Sequence, residues 1–465
     1  MNRKGSVLAT VVIIGSLMFL LTGVVYTYFK MNANATVFRM NGLRASVAAE
    51  AGVALAVHYL STLQTMPESM DPFLLEMEGD SAGWITFAEG EGFKVVIDPV
   101  NIAGGRLSNG AVEIRARGLA GNETRDLFVR AAPAYPSSYS LLTCDGIPQG
   151  FLTDGCVLNG PVHSNGTVTF SSSTADSTDD PFVEMVSTTS EGGFYFAGSG
   201  RSEVPHPAGS SVWVRPYSRH IQGAPWWRNT APAVDFQRMR EHFSSLISSG
   251  GGSQVVTVAA ERVLIDGNTL ICRESENSQD FSVDISQADV VILRNGFAPV
   301  MIKSVGIPDR QVTLLAANDL LIGGSIDGGA VSAGGLLGLV AMGDVIIAAD
   351  PDETGDSDWR GMWQIETDHA LLLRTSVVIP AGELRAEIPY LPDEASRITI
   401  NGSLTQKSMG RLSSAGSGYQ LGISWDEGLG VKHPPGFPML GSWNIYSWLT
   451  DPPEREDSSM EDDLV

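Results

Sequence analysis

Ser6-Val7-Leu8-Ala9-Thr10-Val11-Val12-Ile13-Ile14-Gly15-Ser16-Leu17-Met18-Phe19-Leu20-Leu21-Thr22-Gly23-Val24-Val25-Tyr26-Thr27-Tyr28-Phe29 carries no charged residue. As a helix it is roughly 35 Å long, enough to cross a bilayer core of about 30 Å. Arg3 and Lys4 precede it, and basic residues stay on the cytoplasmic side. The expectation is a single-pass protein with its N-terminus in the cytoplasm, the helix in the inner membrane, and the remainder periplasmic or at the cell surface. Tyr26 and Tyr28 stand where an interfacial aromatic belt would sit.

Three readings of this segment stay open. A cleaved secretory signal has a shorter apolar core and a small-residue cleavage site, which the Tyr26–Lys30 end does not offer. A plain membrane anchor needs only length and hydropathy. The third reading starts from Lys4-Gly5-Ser6-Val7-Leu8-Ala9-Thr10, a basic tip closed by Gly before the apolar run. That stretch resembles the leader of type IV prepilins. The resemblance implies cleavage by prepilin peptidase between Gly5 and Ser6 and methylation of the new terminus. Thr10 occupies the filament-entry position where major pilins have Glu. In this it is similar to tip-type pseudopilins and some minor pilins.

The helical pattern continues past the membrane. Met31 to Leu63 contains no Pro, and Val37, Met40, Leu43, Val47, Ala51, Ala54 and Leu60 recur at helical spacing. Arg39-Met40-Asn41-Gly42-Leu43-Arg44-Ala45-Ser46-Val47-Ala48-Ala49-Glu50-Ala51-Gly52 resembles the corresponding stretch of PilX-type minor pilins. The resemblance covers about residues 3–65. It implies partners among other pilin or pseudopilin subunits, and a role in assembly priming or adhesion. Read without it, Arg44 and Glu50 are a solvated pair on one helix face.

Composition narrows the remainder. The chain has 53 acidic and 30 basic residues, a formal net charge of −23. Such a surface repels nucleic acid, whose phosphates require Lys and Arg. Residues 451–465 form an acidic tail that reads as disordered. Of three cysteines, Cys144 and Cys156 flank a turn-rich segment and are the disulfide candidate in an oxidising compartment. Cys272 is left as a buried thiol.

Further organisation follows from periodicity. Trp84–Phe87, Phe93–Ile97, Val112–Arg117 and Asp126–Arg130 alternate apolar and polar residues, as a half-buried antiparallel sheet does. From about residue 139 the segments shorten and Gly, Asn and Asp punctuate them. Leu315-Ala316-Ala317-Asn318-Asp319-Leu320-Leu321-Ile322 recurs as Val340-Ala341-Met342-Gly343-Asp344-Val345-Ile346-Ile347. A period in the twenties with short strands suggests β-solenoid rungs, with a β-sandwich as the alternative. Val234, Phe236, Met239, Phe243 and Leu246 share one face of a helix near 232–247. The closing stretch, with Trp425-Asp426 and Pro434-Pro435-Gly436-Phe437-Pro438, reads as a cap that plugs the last rung.

The expected class is α+β: a long N-terminal transmembrane helix, a small antiparallel sheet, then a mainly β body. The expected divisions are a leader at 1–5, the helix at 6–64, the sheet at 65–138, the body at 139–450 and the tail at 451–465. No GxSxG, HExxH, P-loop or dinucleotide fingerprint occurs, so a non-enzymatic protein is expected. Asp319 and Asp344 would stack in adjacent rungs as turn formers, and His163 and His369 read as structural. Asp350, Asp352, Thr354, Asp356 and Asp358 space oxygen ligands as in the first half of a calcium loop. The twelfth-position Glu is replaced by Gly361. No cofactor beyond that structural calcium is expected. The competing function is a membrane-anchored carbohydrate-binding protein or a polysaccharide-acting β-helix enzyme.

Overall fold

The computed structural model describes residues 3–62, 73–74, 83–99, 101–102, 105–106, 112–152, 157–171, 182–189, 194–197, 226–228, 231–250, 254–330, 334–349, 361–367, 370–387, 397–414, 417–430 and 432–449. The chain divides into two units, Met1–Ala132 with a C-terminal piece beginning at Trp443, and Pro133–Ser442.

The first unit is one long helix against a small sheet. Helix α1 runs Arg3–Thr62 without a break, about 90 Å at helical rise. Its membrane-capable stretch begins in the uncharged segment, and that part is exposed all round among the described residues. Further along, one face turns inward: Ala45, Ala48, Ala49, Val53, Ala56 and Leu60 are buried. Of these, Ala49, Val53, Ala56 and Leu60 pack on Phe93, Val95, Ile97, Ile114, Ala116 and Val129. These come from Glu91–Pro99, Val112–Ala120 and Glu123–Pro133, paired antiparallel with Val95 opposite Ala116 and Ile114 opposite Val129.

Small residues set the distance between helix and sheet. A Cβ on Gly118 would overlap the Ala45 carbonyl oxygen and lie 2.5 Å from the Ala49 nitrogen. Only a residue without a side chain lets the two backbones approach so closely.

The sheet's last strand comes from far along the chain. Trp443–Leu449 lies beside Glu123–Pro133, and Trp443 enters the same core. This corrects the sequence division, which assigned those residues to the body at 139–450. Nothing local in Trp443–Leu449 says which sheet it joins. The second unit is therefore an insertion between two neighbouring strands of the first. Within the second unit its two ends are tied together. The Ala134 N–H donates to the Ser442 carbonyl, and the Leu440 N–H donates to the Ala134 carbonyl, both at 2.8 Å.

The second unit is built from stacked parallel ladders. The first runs through Val255–Ala259, Val290–Arg294, Gln311–Ala316, Leu336–Ala341, Ser376–Ile379 and Ser403–Gln406. It then continues into Leu141–Thr143 and Val157–Ser164, so the earliest strands stack beyond the late ones. A second ladder joins Arg262–Asp266, Val300–Ser304, Leu320–Ile322, Val345–Ile347 and Leu384–Ala386. At one end the antiparallel strands Thr269–Arg273 and Phe281–Asp284 cover its edge. A third joins Ile326–Asp327, Leu371–Arg374, Arg397–Asn401 and Gln420–Ser424.

All three ladders send residues into one core, among them Leu339, Ile347 and Leu373. The repeat read from the sequence is a pairing: Leu315 lies opposite Val340, and Leu320 opposite Val345. Parallel pairing needs crossover connections, unlike the hairpins of the sandwich alternative. The described pairings show stacked ladders in a mainly β body and not a closed solenoid or barrel.

The first ladder is covered on its outer face as well. Helix α2, Phe236–Ser249, is capped by Asp235, whose carboxylate accepts from the Arg238 N–H. Its Phe236, Met239 and Phe243 pack on Ile292, Leu315, Val340 and Val378. Phe437 joins them, edge-on to Phe243 at 6.1 Å between ring centroids. The Pro434–Phe437 stretch thus lies over a sheet face and is no plug of the last rung. Burial of both faces explains why every residue of Leu336–Ala341 is buried, as in parallel sheets generally.

Gly118→Val is expected to destabilise the first unit by about 1–3 kcal/mol or more, because a backbone carbonyl must move to admit the side chain. Urea denaturation of the detergent-solubilised chain measures it. Phe243→Ala, leaving a cavity between α2 and the first ladder, is expected to cost about 3–5 kcal/mol in the second unit.

Candidate functional site

The residues singled out in the sequence scatter. Gly5, Ser6 and Thr10 lie in the first turns of α1. Cys156, His369 and the loop carrying Asp350, Asp352, Thr354, Asp356 and Asp358 lie outside the described residues. Among the described residues no group of three or more His, Cys, Asp or Glu is placed to hold a metal. Cys144 and Cys272 carry free thiols among those residues. Burial in the apolar core pushes the Cys272 thiol up to about 12, which leaves almost no thiolate for chemistry at neutral pH.

Asp319 and Asp344 do stack, and they spend their carboxylates on the turns. Asp319 Oδ1 accepts from the Asp344 N–H at 2.8 Å. Asp344 Oδ1 accepts from the Glu383 N–H at 3.1 Å, while its other oxygen accepts from Arg385 Nε at 2.9 Å. Gly343 makes the first contact possible, since a Cβ there would overlap the Asp319 carboxylate. Each carboxylate thus holds the corner of the next rung, an arrangement for stability.

His163 is structural too. Its Nδ1 lies 2.8 Å from Ser187 Oγ and its Nε2 3.1 Å from Asn165 Oδ1. That amide also clasps the backbone ahead of α2. It accepts from the Val234 N–H at 2.8 Å and donates to the Val234 carbonyl at 2.7 Å.

What the sequence did not single out is a cleft at another corner of the body. It has a volume of about 450 Å³ and is lined by Arg374, Asn401, Ser424, Trp425, Asp426 and Leu429 among others. The corner arises where the third ladder turns into the first. Asp327 lies opposite Arg374, and Asn401 opposite Ser424. The pairing of Leu373 with Ile400 places Arg374 beside Asn401 in the same row. Polar side chains one rung apart, about 4.8 Å, therefore form a line. Trp425 ends it, half-buried, with Nε1 donating to the Ser137 carbonyl at 3.0 Å. The sequence signal for such a row is weak, because its members are separated by whole rungs of unequal length.

His433 stacks on Tyr135, with ring centroids 3.5 Å apart and ring planes nearly parallel. Burial pushes its imidazole down to about 4 and the Tyr135 phenol up.

No protein-family model and no curated protein matches the chain. A solved structure, the competence-associated pilin ComZ from Thermus thermophilus, aligns over 88% of this chain and 97% of its own, with TM-score 0.33 and 11% identity. At that score the likeness carries no argument for fold or function.

The folded-state pKa of His433 lies below its unfolded value of 6.5. Its effect is therefore absent above pH 6.5, and stability falls as the pH drops from 6.5 towards 4, where the unfolded chain takes up the proton first. The loss is about 1–3 kcal/mol, reduced by partial solvent access. Urea midpoints at pH 7, 5.5 and 4 measure it, and His433→Phe, which keeps the stack, is expected to flatten that window.

Proposed function

We propose that this chain is a membrane-anchored, pilin-like exported protein that works by display and assembly and catalyses no reaction. The observation that carries this reading is the division of labour along α1. Over its first half the large apolar residues, such as Phe19 at 81% and Leu21 at 65% exposure, are left uncovered by the described residues, and only lipid or other apolar helices satisfy them. Beyond the membrane-length stretch the same helix lays its Ala-rich face on the antiparallel sheet, while Val37, Met40, Leu43 and Val47 remain exposed at 49–69% on other faces. A helix that continues from lipid into an apolar stripe is suited to packing beside further helices of its kind. Gly15 and Gly23, with open space around each, favour close helix approach in lipid.

In the finer form of the proposal, prepilin peptidase cuts between Gly5 and Ser6 on the cytoplasmic side, and the body is exported. Thr10 and the large insertion favour a minor, PilX-type position that primes assembly or adheres, over a repeating subunit. The second unit, whose three parallel ladders share one core, we read as a β-solenoid interrupted by α2. A display role suits it, because in-register rungs make a rigid body whose corners can carry binding residues.

N-terminal mass spectrometry of the protein from native membranes, with and without prepilin peptidase, tests the proposal. A mature chain beginning at methylated Ser6, and dependent on that enzyme, is expected. A chain retaining residues 1–5 in both strains would reduce α1 to a plain anchor and overturn the pilin-like reading.

A further inference from the structure

We propose that the corner cleft of the second unit is a binding site for a neutral saccharide. It deepens the display role by naming a ligand class, and stands on separate residues from α1. The site combines the three features such a ligand needs.

The first is a fixed aromatic surface. Trp425 is held by its Nε1 bond to the Ser137 carbonyl, and a Cβ on Gly160 would come within 2.9 Å of its Cγ. The ring cannot rotate away, and Leu336 and Leu429 pack with it. A rigid ring with an apolar body is what the C–H face of a pyranose stacks on, at little entropic cost.

The second is a set of convergent polar groups at rung spacing. Asn401 and Ser424 are adjacent across the ladder. Among the described residues, neither spends its side chain on a hydrogen bond. The Asn401 amide offers two N–H donors and an acceptor oxygen, and the Ser424 hydroxyl one donor and two acceptor lone pairs. A ligand rich in hydroxyl groups matches these; an apolar ligand would desolvate them without return.

The third is the charge balance. Arg374 is held 3.0 Å from the Asp327 carboxylate, which cancels its charge locally. Asp426 remains as a carboxylate, with Oδ1 accepting from the Gly428 N–H at 2.8 Å. The lining therefore has no spare positive charge, and the whole chain is at −23. A phosphate or uronate would be repelled, whereas Asp426 can accept hydroxyl protons from a neutral sugar. The volume of about 450 Å³ falls within the range of small-molecule sites, about 300–1,000 Å³.

The test is isothermal titration of the full chain, held in a polyoxyethylene detergent that contains no sugar, with maltose, cellobiose, lactose and N,N′-diacetylchitobiose. Glucuronate serves as the anionic comparator. At least one neutral disaccharide is expected to bind, and Asn401→Ala and Trp425→Phe are each expected to weaken it about tenfold or more. Phe297→Ala, at a fully exposed turn outside the cleft lining, should leave binding unchanged. Because Trp425 also packs, Asn401→Ala decides the matter if the Trp425 variant melts early. Failure of all four disaccharides, binding of glucuronate as strong as theirs, or indifference to Asn401→Ala would each overturn the assignment. A chain that binds sugar but retains residues 1–5 would leave this site standing while removing the pilin-like reading.

Discussion

The second unit depends on in-register stacking of parallel strands. A parallel ladder leaves each strand's peptide groups to be satisfied by the rungs on either side, so one slip in register would unpair a whole rung and move its side chains to the wrong face. Register here is pinned at the corners. The Asp319 carboxylate reaches past Gly343 to the Asp344 N–H, and Asp344 repeats the act on Glu383 and Arg385. With these corners aligned, Leu314, Leu339 and Val377 meet in the interior, while Leu315, Val340 and Val378 form the opposite face for α2. The same alignment lines up Arg374, Asn401 and Ser424 at another corner, so the cleft is a by-product of register.

A long stack has two ends, and an open strand edge invites further pairing. One end of the second ladder is closed by the antiparallel pair Thr269–Arg273 and Phe281–Asp284. The first ladder is extended by strands from earlier in the chain: Leu141–Thr143 stacks on the late strand Ser403–Gln406, and Val157–Ser164 stacks on Leu141–Thr143 in turn. This order brings the two ends of the unit together, where Ala134 pairs with Ser442 and Leu440. Such an insertion can join two neighbouring strands without pulling them apart.

Much of the architecture was legible because it rests on local periodicity. The apolar run at 6–29, the alternation in Val112–Arg117 and the one-sided stripe of Phe236, Met239 and Phe243 each show up within a few turns or residues. The repeat of Leu315–Ile322 at Val340–Ile347 was legible as well, since rungs that stack must present like residues at like positions. The membership of Trp443–Leu449 was not, because a strand's own pattern does not say which sheet edge is free. Nor was the place of Phe437, which reads as a cap in sequence and in fact shields a ladder face beside Phe243. The cleft was illegible for a related reason. Asp327, Arg374, Asn401 and Ser424 are spaced irregularly along the chain and become neighbours only when rungs of different length are laid in register.

By itself, the sequence determined the long uncharged helix, the acidic character, the small alternating sheet and the existence of a repeat. These follow from hydropathy, charge and short-range periodicity, quantities carried by contiguous residues. Tertiary structure alone decided that the repeat stacks in parallel, that the late strand Trp443–Leu449 returns to the first sheet, and that Trp425, Asn401 and Asp426 border one cleft. Those outcomes depend on which distant peptide groups find each other, and that selection is made by packing both faces of the ladders at once.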